Sequence, residues 1–124
     1  MKQSGQNVSP MSNEGRNAYV VEHIRAALLA LLAEKQIDDI SISELCDKAQ
    51  VGRASFYRNY ENKEDILKAY LRQILDEWVS EYAKSEGIPL NEQIRTIFTH
   101  FERHRDFYEL LNDRGLIYLL RDVV

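Results

Sequence analysis

The chain has 124 residues, 44% of them hydrophobic and 29% charged, with a formal charge of −4. That composition fits one domain or two small helical subdomains and excludes both gross disorder and a large multidomain enzyme. No apolar run approaches the roughly 20 residues of a membrane span, and residues 1–15 lack the apolar centre of a signal peptide, so a soluble, cytoplasmic protein without membrane contact is predicted.

Residues 1–15, rich in Ser, Asn, Gln and Gly, read as a flexible arm. Over residues 18–35, Val20, Val21, Ile24, Ala27, Leu28, Leu31 and Leu32 recur at the spacing of an amphipathic helix. Asp38 and Asp39 break that period. Ser41-Ile42-Ser43-Glu44 then matches a capping box. In it the Ser41 hydroxyl accepts from the Glu44 amide, the Glu44 carboxylate returns to the Ser41 amide, and a second helix starts at Ile42. Leu45, Cys46 and Ala49 give that helix one apolar side; Cys46, the single cysteine, reads as a small buried hydrophobe. Gln50-Val51-Gly52 interrupts the helix, and Gly52 can cap a third over residues 53–60. Phe56 and Tyr60, four apart, are predicted to pack inward on the first helix, leaving Arg53, Ala54, Ser55, Tyr57, Arg58 and Asn59 outward.

Asn62 caps a long fourth helix from Lys63, with Glu64 and Asp65 in the first turn where the helix dipole favours acids. Ile66, Leu67, Tyr70, Leu71, Ile74, Trp78 and Tyr82 keep helical spacing up to the loop marked by Gly87 and Pro89. Ile94, Ile97, Phe98 and Phe101 make a further helix ending near His104 or Arg105. Asp106 is expected to cap a short turn holding Phe107, Leu110 and Leu111. The apolar residues 116–124 read as a last helix cut short, leaving Leu116, Ile117, Leu119 and Leu120 exposed for want of a partner. With no strand alternation, the predicted fold class is all-α: a three-helix helix-turn-helix domain joined to part of a helical regulatory domain.

Charge is unevenly spread. Residues 48–63 carry Lys48, Arg53, Arg58 and Lys63 against Glu61, a local +3 that leaves the remaining chain at −7. Two short helices around a tight turn suggest a helix-turn-helix, whose last helix enters the DNA major groove. Its outward residues suit that use. Arg53 and Arg58 can take phosphates or guanine edges, Asn59 an adenine edge, and Ser55 is adaptable. Ala54 is small enough to admit the groove floor, and Tyr57 offers a hydroxyl to phosphate. Lys63, at a helix N-terminus, adds an ammonium to free amides that already favour phosphate. His100 and His104 share a helix face, yet Glu102 is misplaced for the metalloprotease pattern and no third ligand stands out, so neither a metal nor another cofactor is expected. The chain offers no nucleophile paired with a base, and an enzyme is not expected. The rival reading is an all-helical protein-interaction module that uses the helix-turn-helix as scaffold.

Residues 40–67, ISISELCDKAQVGRASFYRNYENKEDIL, resemble the DNA-binding signature of the TetR/AcrR-type transcriptional regulators, most specifically in Phe56-Tyr57-Arg58-Asn59-Tyr60 followed by Lys63-Glu64. The resemblance implies that Ser41, Arg53, Ala54, Ser55, Tyr57, Arg58, Asn59 and Lys63 face double-stranded DNA, with Tyr57 and Lys63 on phosphates. It further implies a homodimeric repressor on a palindromic operator, answering to a small apolar ligand for which Trp78, Tyr82, Phe98 and Phe101 are the candidate lining. Gln50 replaces the family's usual turn Gly, and Gly52 its frequent Ser cap. The family's dimer-forming helices normally follow beyond position 124, so the chain is expected to be a fragment or truncated relative. The expected domains are an arm over residues 1–15, a DNA-binding domain over 16–62 and a partial ligand-binding and dimerisation domain over 63–124.

Overall fold

The computed structural model describes residues 13–84 and 87–123; most of the predicted arm lies outside them. In chain order come α1 (Asn13–Leu32), a 3-10 turn (Ile37–Asp39), α2 (Ile42–Ala49), α3 (Arg53–Asn59), α4 (Lys63–Lys84), α5 (Leu90–Arg103), α6 (Arg105–Asp113) and a second 3-10 turn (Ile117–Asp122). The fold is all-α, with no strand among the described residues. It forms two compact units that meet in sequence between Lys63 and Glu64.

In the first unit α1 packs on α2 and α3. Its buried residues Ile24, Ala27, Leu28, Leu31 and Leu32 are the stripe read from the helical period. The segment that breaks this period is not a bare loop. Ile37 and Ile40 stand three apart across the 3-10 turn and are both buried, while Asp38 and Asp39 stay exposed. Leu45, Cys46 and Ala49 of α2 complete the core with Phe56 and Tyr60 from α3. Burial pushes the Cys46 thiol up, against a partial offset from Arg53, which keeps it in its unreactive protonated form.

The capping box forms by half. Ser41 Oγ accepts from the Glu44 amide at 3.0 Å, but the Glu44 carboxylate takes Lys35 Nζ at 2.8 and 2.7 Å instead of returning to the Ser41 amide. A charge-assisted bond to an ammonium outcompetes one to a neutral amide.

At the other end α2 closes in a Schellman motif: the Gln50 amide donates to Asp47 O at 3.2 Å and the Val51 amide to Cys46 O at 3.1 Å. This places Gln50 in the left-handed region, φ 60° and ψ 43°. The same motif closes α6, where the Gly115 amide reaches Asn112 O and the Leu116 amide Leu111 O, with Gly115 at φ 71°. One motif uses the residue that this backbone favours; the other holds a glutamine there.

In the second unit α4 buries Ile66, Leu67, Leu71 and Ile74. Tyr70 meets Phe107 of α6 edge-on at 4.7 Å, and Trp78 Nε1 donates to Thr96 Oγ1 of α5 at 3.4 Å. His104 breaks the path between α5 and α6 and occupies the N-cap position of α6, so Asp106 sits in the first turn rather than capping. The terminal apolar run also departs from expectation. It is a 3-10 turn, and Leu116 and Leu119 are 4% and 1% exposed because three-residue spacing puts them on one side. Ile117 and Tyr118 remain exposed and Leu120 half-buried, while Lys68 of α4 reaches Asp122 at 3.4 Å.

Among the described residues of this unit His100 is the buried polar side chain, its Nε2 2.9 Å from the Tyr108 hydroxyl. Burial, then the nearby His104 and Arg103, lower its pKa from the ordinary histidine value, while Glu77 and Glu81 pull the other way.

Two predictions follow from these local features. Gln50→Gly is expected to stabilise the first unit by about 1 kcal/mol by removing a side chain from a left-handed position, and a thermal melt that moves down would contradict it. Because His100 is protonated more readily in the unfolded chain, its contribution to stability is complete above pH 6.5, the ordinary histidine pKa, and is lost as pH falls toward its lowered folded value. Melting the wild type and His100→Gln from pH 7.5 to about 5 should show a shallower acid loss in the variant; parallel curves would rule the histidine out.

Candidate nucleic-acid interface

The helix-turn-helix consists of α2, the left-handed Gln50 turn and α3. Seven residues are too few for an isolated helix in water, so α3 depends on the packing of its inner face. Phe56 is fully buried and Tyr60 is 8% exposed, their ring centroids 5.8 Å apart. Burying these two sets the rotation of α3. Arg53, Ala54, Tyr57 and Arg58 consequently face solvent, and Ser55 and Asn59 lie half-buried at the edges.

The polar side chains of this face differ in how they are held. The Arg53 guanidinium donates to Ser43 Oγ on the first turn of α2, which bridges the two helices of the motif. Asn59 Nδ2 donates to Ser55 O at 3.0 Å, one turn back on its own helix, so its second N–H and its Oδ1 remain for other partners. The Tyr57 ring stands edge-on to Phe56 at 5.0 Å, and the residue is 57% exposed. Ser41 is exposed, with its hydroxyl accepting from the Glu44 amide. Lys63 is half-buried and its Nζ donates to Ile37 O at 2.7 Å and Ile40 O at 2.6 Å. Six of the eight predicted residues thus carry accessible surface on α3 and Ser41 does so as the cap of α2, while the eighth, half-buried Lys63, turns its ammonium to the backbone before α2. Ser43 was absent from the sequence-derived set. It pairs with Arg53 ten positions away, a separation outside the three- and four-residue spacings that signal helix neighbours.

The four aromatic residues predicted to line a ligand pocket are not brought together. Trp78 and Tyr82 stack loosely along α4 at 5.9 Å, and Phe101 of α5 approaches Tyr108 at 4.9 Å. Phe98 is 70% exposed. A cleft of about 120 Å³ in the second unit includes Trp78 but none of the other three; Ile74, Glu77, Glu81, Arg95, His100 and Arg103 are among its remaining lining. His100 and His104 stand with ring centroids 5.0 Å apart. Among the described residues no group of three or more His, Cys, Asp or Glu side chains is placed to hold a metal ion, and no helix is long and apolar enough to cross a membrane.

Comparison with known proteins gives this geometry a family. Residues 24–70 match the family of bacterial regulatory proteins described as the tetR family. The chain is also 30% identical over 101 residues to a Bacillus subtilis (strain 168) protein named as the uncharacterized HTH-type transcriptional regulator YxbF. That alignment covers 74% of this chain and 26% of the relative, so the chain spans about a quarter of the length of the curated protein it matches. No solved structure matches it. The matched stretch runs from Ile24 in the core of α1 through the whole helix-turn-helix to Tyr70 in α4, and by it the chain belongs to the TetR-type regulators, a family of helix-turn-helix transcriptional regulators.

Proposed function

We propose that this chain is the DNA-reading part of a ligand-responsive repressor that binds a palindromic operator as a homodimer in the cytoplasm. The observation that carries the reading is the outer face of α3. Arg53, Ala54, Tyr57 and Arg58 are exposed together on a helix whose opposite side is locked down by Phe56 and Tyr60. Such a face presents two guanidiniums, a phenol and a small residue at major-groove dimensions. Arg58 and Asn59 are assigned to base edges. Tyr57 is assigned to a phosphate, and Ser41 with its adjacent α2 N-terminus to another. Arg53, oriented by Ser43, reads a base or a phosphate from the start of α3.

One recognition helix reads only a few base pairs, which favours two copies about 34 Å apart on a palindrome. Ligand response is assigned to the second unit. There the cleft beside Trp78 is smaller than the roughly 300–1,000 Å³ of typical ligand sites, and its carboxylates and guanidiniums suit a small polar molecule better than the apolar one expected from the sequence.

Selection of binding sites from random double-stranded DNA tests the reading. A palindromic consensus is expected, and failure to enrich any sequence would overturn it. On the selected site Arg58→Ala and Asn59→Ala are each expected to cost about 1–3 kcal/mol, with a much smaller loss on random DNA. Equal losses on both would move these side chains from bases to phosphates. Tyr57→Phe should weaken binding to every sequence alike, which titrations on selected and scrambled duplexes will show.

A further inference from the structure

Lys63 sits where the resemblance implies a phosphate contact, yet its ammonium is directed at the backbone. Nζ lies 2.7 Å from Ile37 O and 2.6 Å from Ile40 O. These are the carbonyls at the start of the 3-10 turn and immediately before Ser41. The Ile40 carbonyl falls between two ladders. The 3-10 turn ends with the Ile40 amide on Ile37 O at 3.1 Å, and α2 begins with the Leu45 amide on Ser41 O at 3.0 Å. Lys63 supplies the donor that neither ladder provides, with a charge-assisted bond at each carbonyl. Two of its three N–H groups are used in this way.

We propose that Lys63 is the positioning residue of the recognition head, holding the 3-10 turn and the first residue of α2 in fixed register. This assignment rests on the DNA-binding reading above. The effect passes through a short chain of contacts. Ile40 O belongs to the peptide whose N–H is that of Ser41; Ser41 caps α2; and Ser43, on the first turn of α2, orients Arg53 on α3. Losing the Lys63 bonds loosens the start of α2, and with it the Ser43 contact that aims Arg53. A neutral partner leaves the lysine charge in place, but the charge acts through geometry and does not neutralise a phosphate.

The test compares wild type with Lys63→Met, which keeps the stem and removes every donor. Amide hydrogen exchange of the DNA-free chain should quicken about ten-fold or more at Ile40, Glu44 and Leu45, and stay within about two-fold at Leu28 and Leu31 in the core of α1. Affinity for operator DNA should fall, while the slope of log affinity against log salt stays unchanged, since the Lys63 ammonium itself neutralises no phosphate. A slope reduced by about one, whatever the exchange does, overturns the proposal, as does exchange that matches wild type. If Lys63→Met does not fold, the Lys63 ammonium signal of the wild-type chain is followed by NMR as operator DNA is added. An unchanged signal is expected, and a through-bond coupling to phosphorus overturns the proposal. If wild type binds no DNA, the functional reading fails while the exchange measurement still decides whether Lys63 holds the turn.

Discussion

The recognition head depends on the insertion of Phe56 beneath a helix too short to stand alone. A seven-residue helix has at most a few backbone hydrogen bonds of its own, so its existence and its rotation are set by what its inner side buries. Phe56 at 0% exposure, with Tyr60 one turn on, anchors α3, which packs on both α1 and α2. Burial of an aromatic side chain of this size contributes about 1.5–3 kcal/mol, more than any single polar contact on the outer face. The burial pushes the Tyr60 hydroxyl pKa up, so the phenol stays neutral in the core. The outward residues are outward because the inward ones are in.

The turn before α3 is the second constraint, and it opposes local preference. A Schellman closure needs a left-handed residue after α2, and Gln50 occupies it although Gly115 serves the equivalent place after α6. The two amide bonds of the motif, together with the burial of Leu45, Cys46 and Ala49, outweigh a strain of order 1 kcal/mol. Local conformational cost is accepted where it sets the angle between two helices that must share one core.

How much of this was legible in the sequence depended on whether the signal was local. The α1 stripe, the Ser41 cap and the inward pair Phe56 and Tyr60 all rest on spacings of three or four residues, and the structure places them as that periodicity implies. Where a distant group competes, local pattern fails. Glu44 leaves its capping box for Lys35, nine residues back, and Ser43 engages Arg53, ten residues on. The terminal run was misread for another reason. Apolar residues at 116, 119 and 120 fit an α-helical stripe and a 3-10 turn alike, and the three-residue spacing that buries Leu116 and Leu119 leaves Leu120 half-buried. The aromatic residues of α4 and α5 share helical spacing, but spacing along one helix carries no information about which neighbour covers it, and Phe98 and Phe101 are left exposed.

Net charge was the least local signal, and structure changes its meaning most. The +3 of residues 48–63 could have been an unstructured field, spread over flexible side chains and screened within about 8–10 Å at ordinary ionic strength. Instead Arg53 is held by a serine hydroxyl and Lys63 by two carbonyls, all of them neutral partners. A neutral acceptor orients a cation without cancelling it, so these charges keep their field while losing their freedom. Lys35 shows the opposite case: both of its short contacts run to one carboxylate, and the pair is self-neutralised. Arg53 is therefore an orientated cation on the exposed face of α3, while Lys63 commits two of its donors to the backbone before α2. A sum over residues cannot distinguish a diffuse patch from a set of aimed charges. The identity of each charge's partner can.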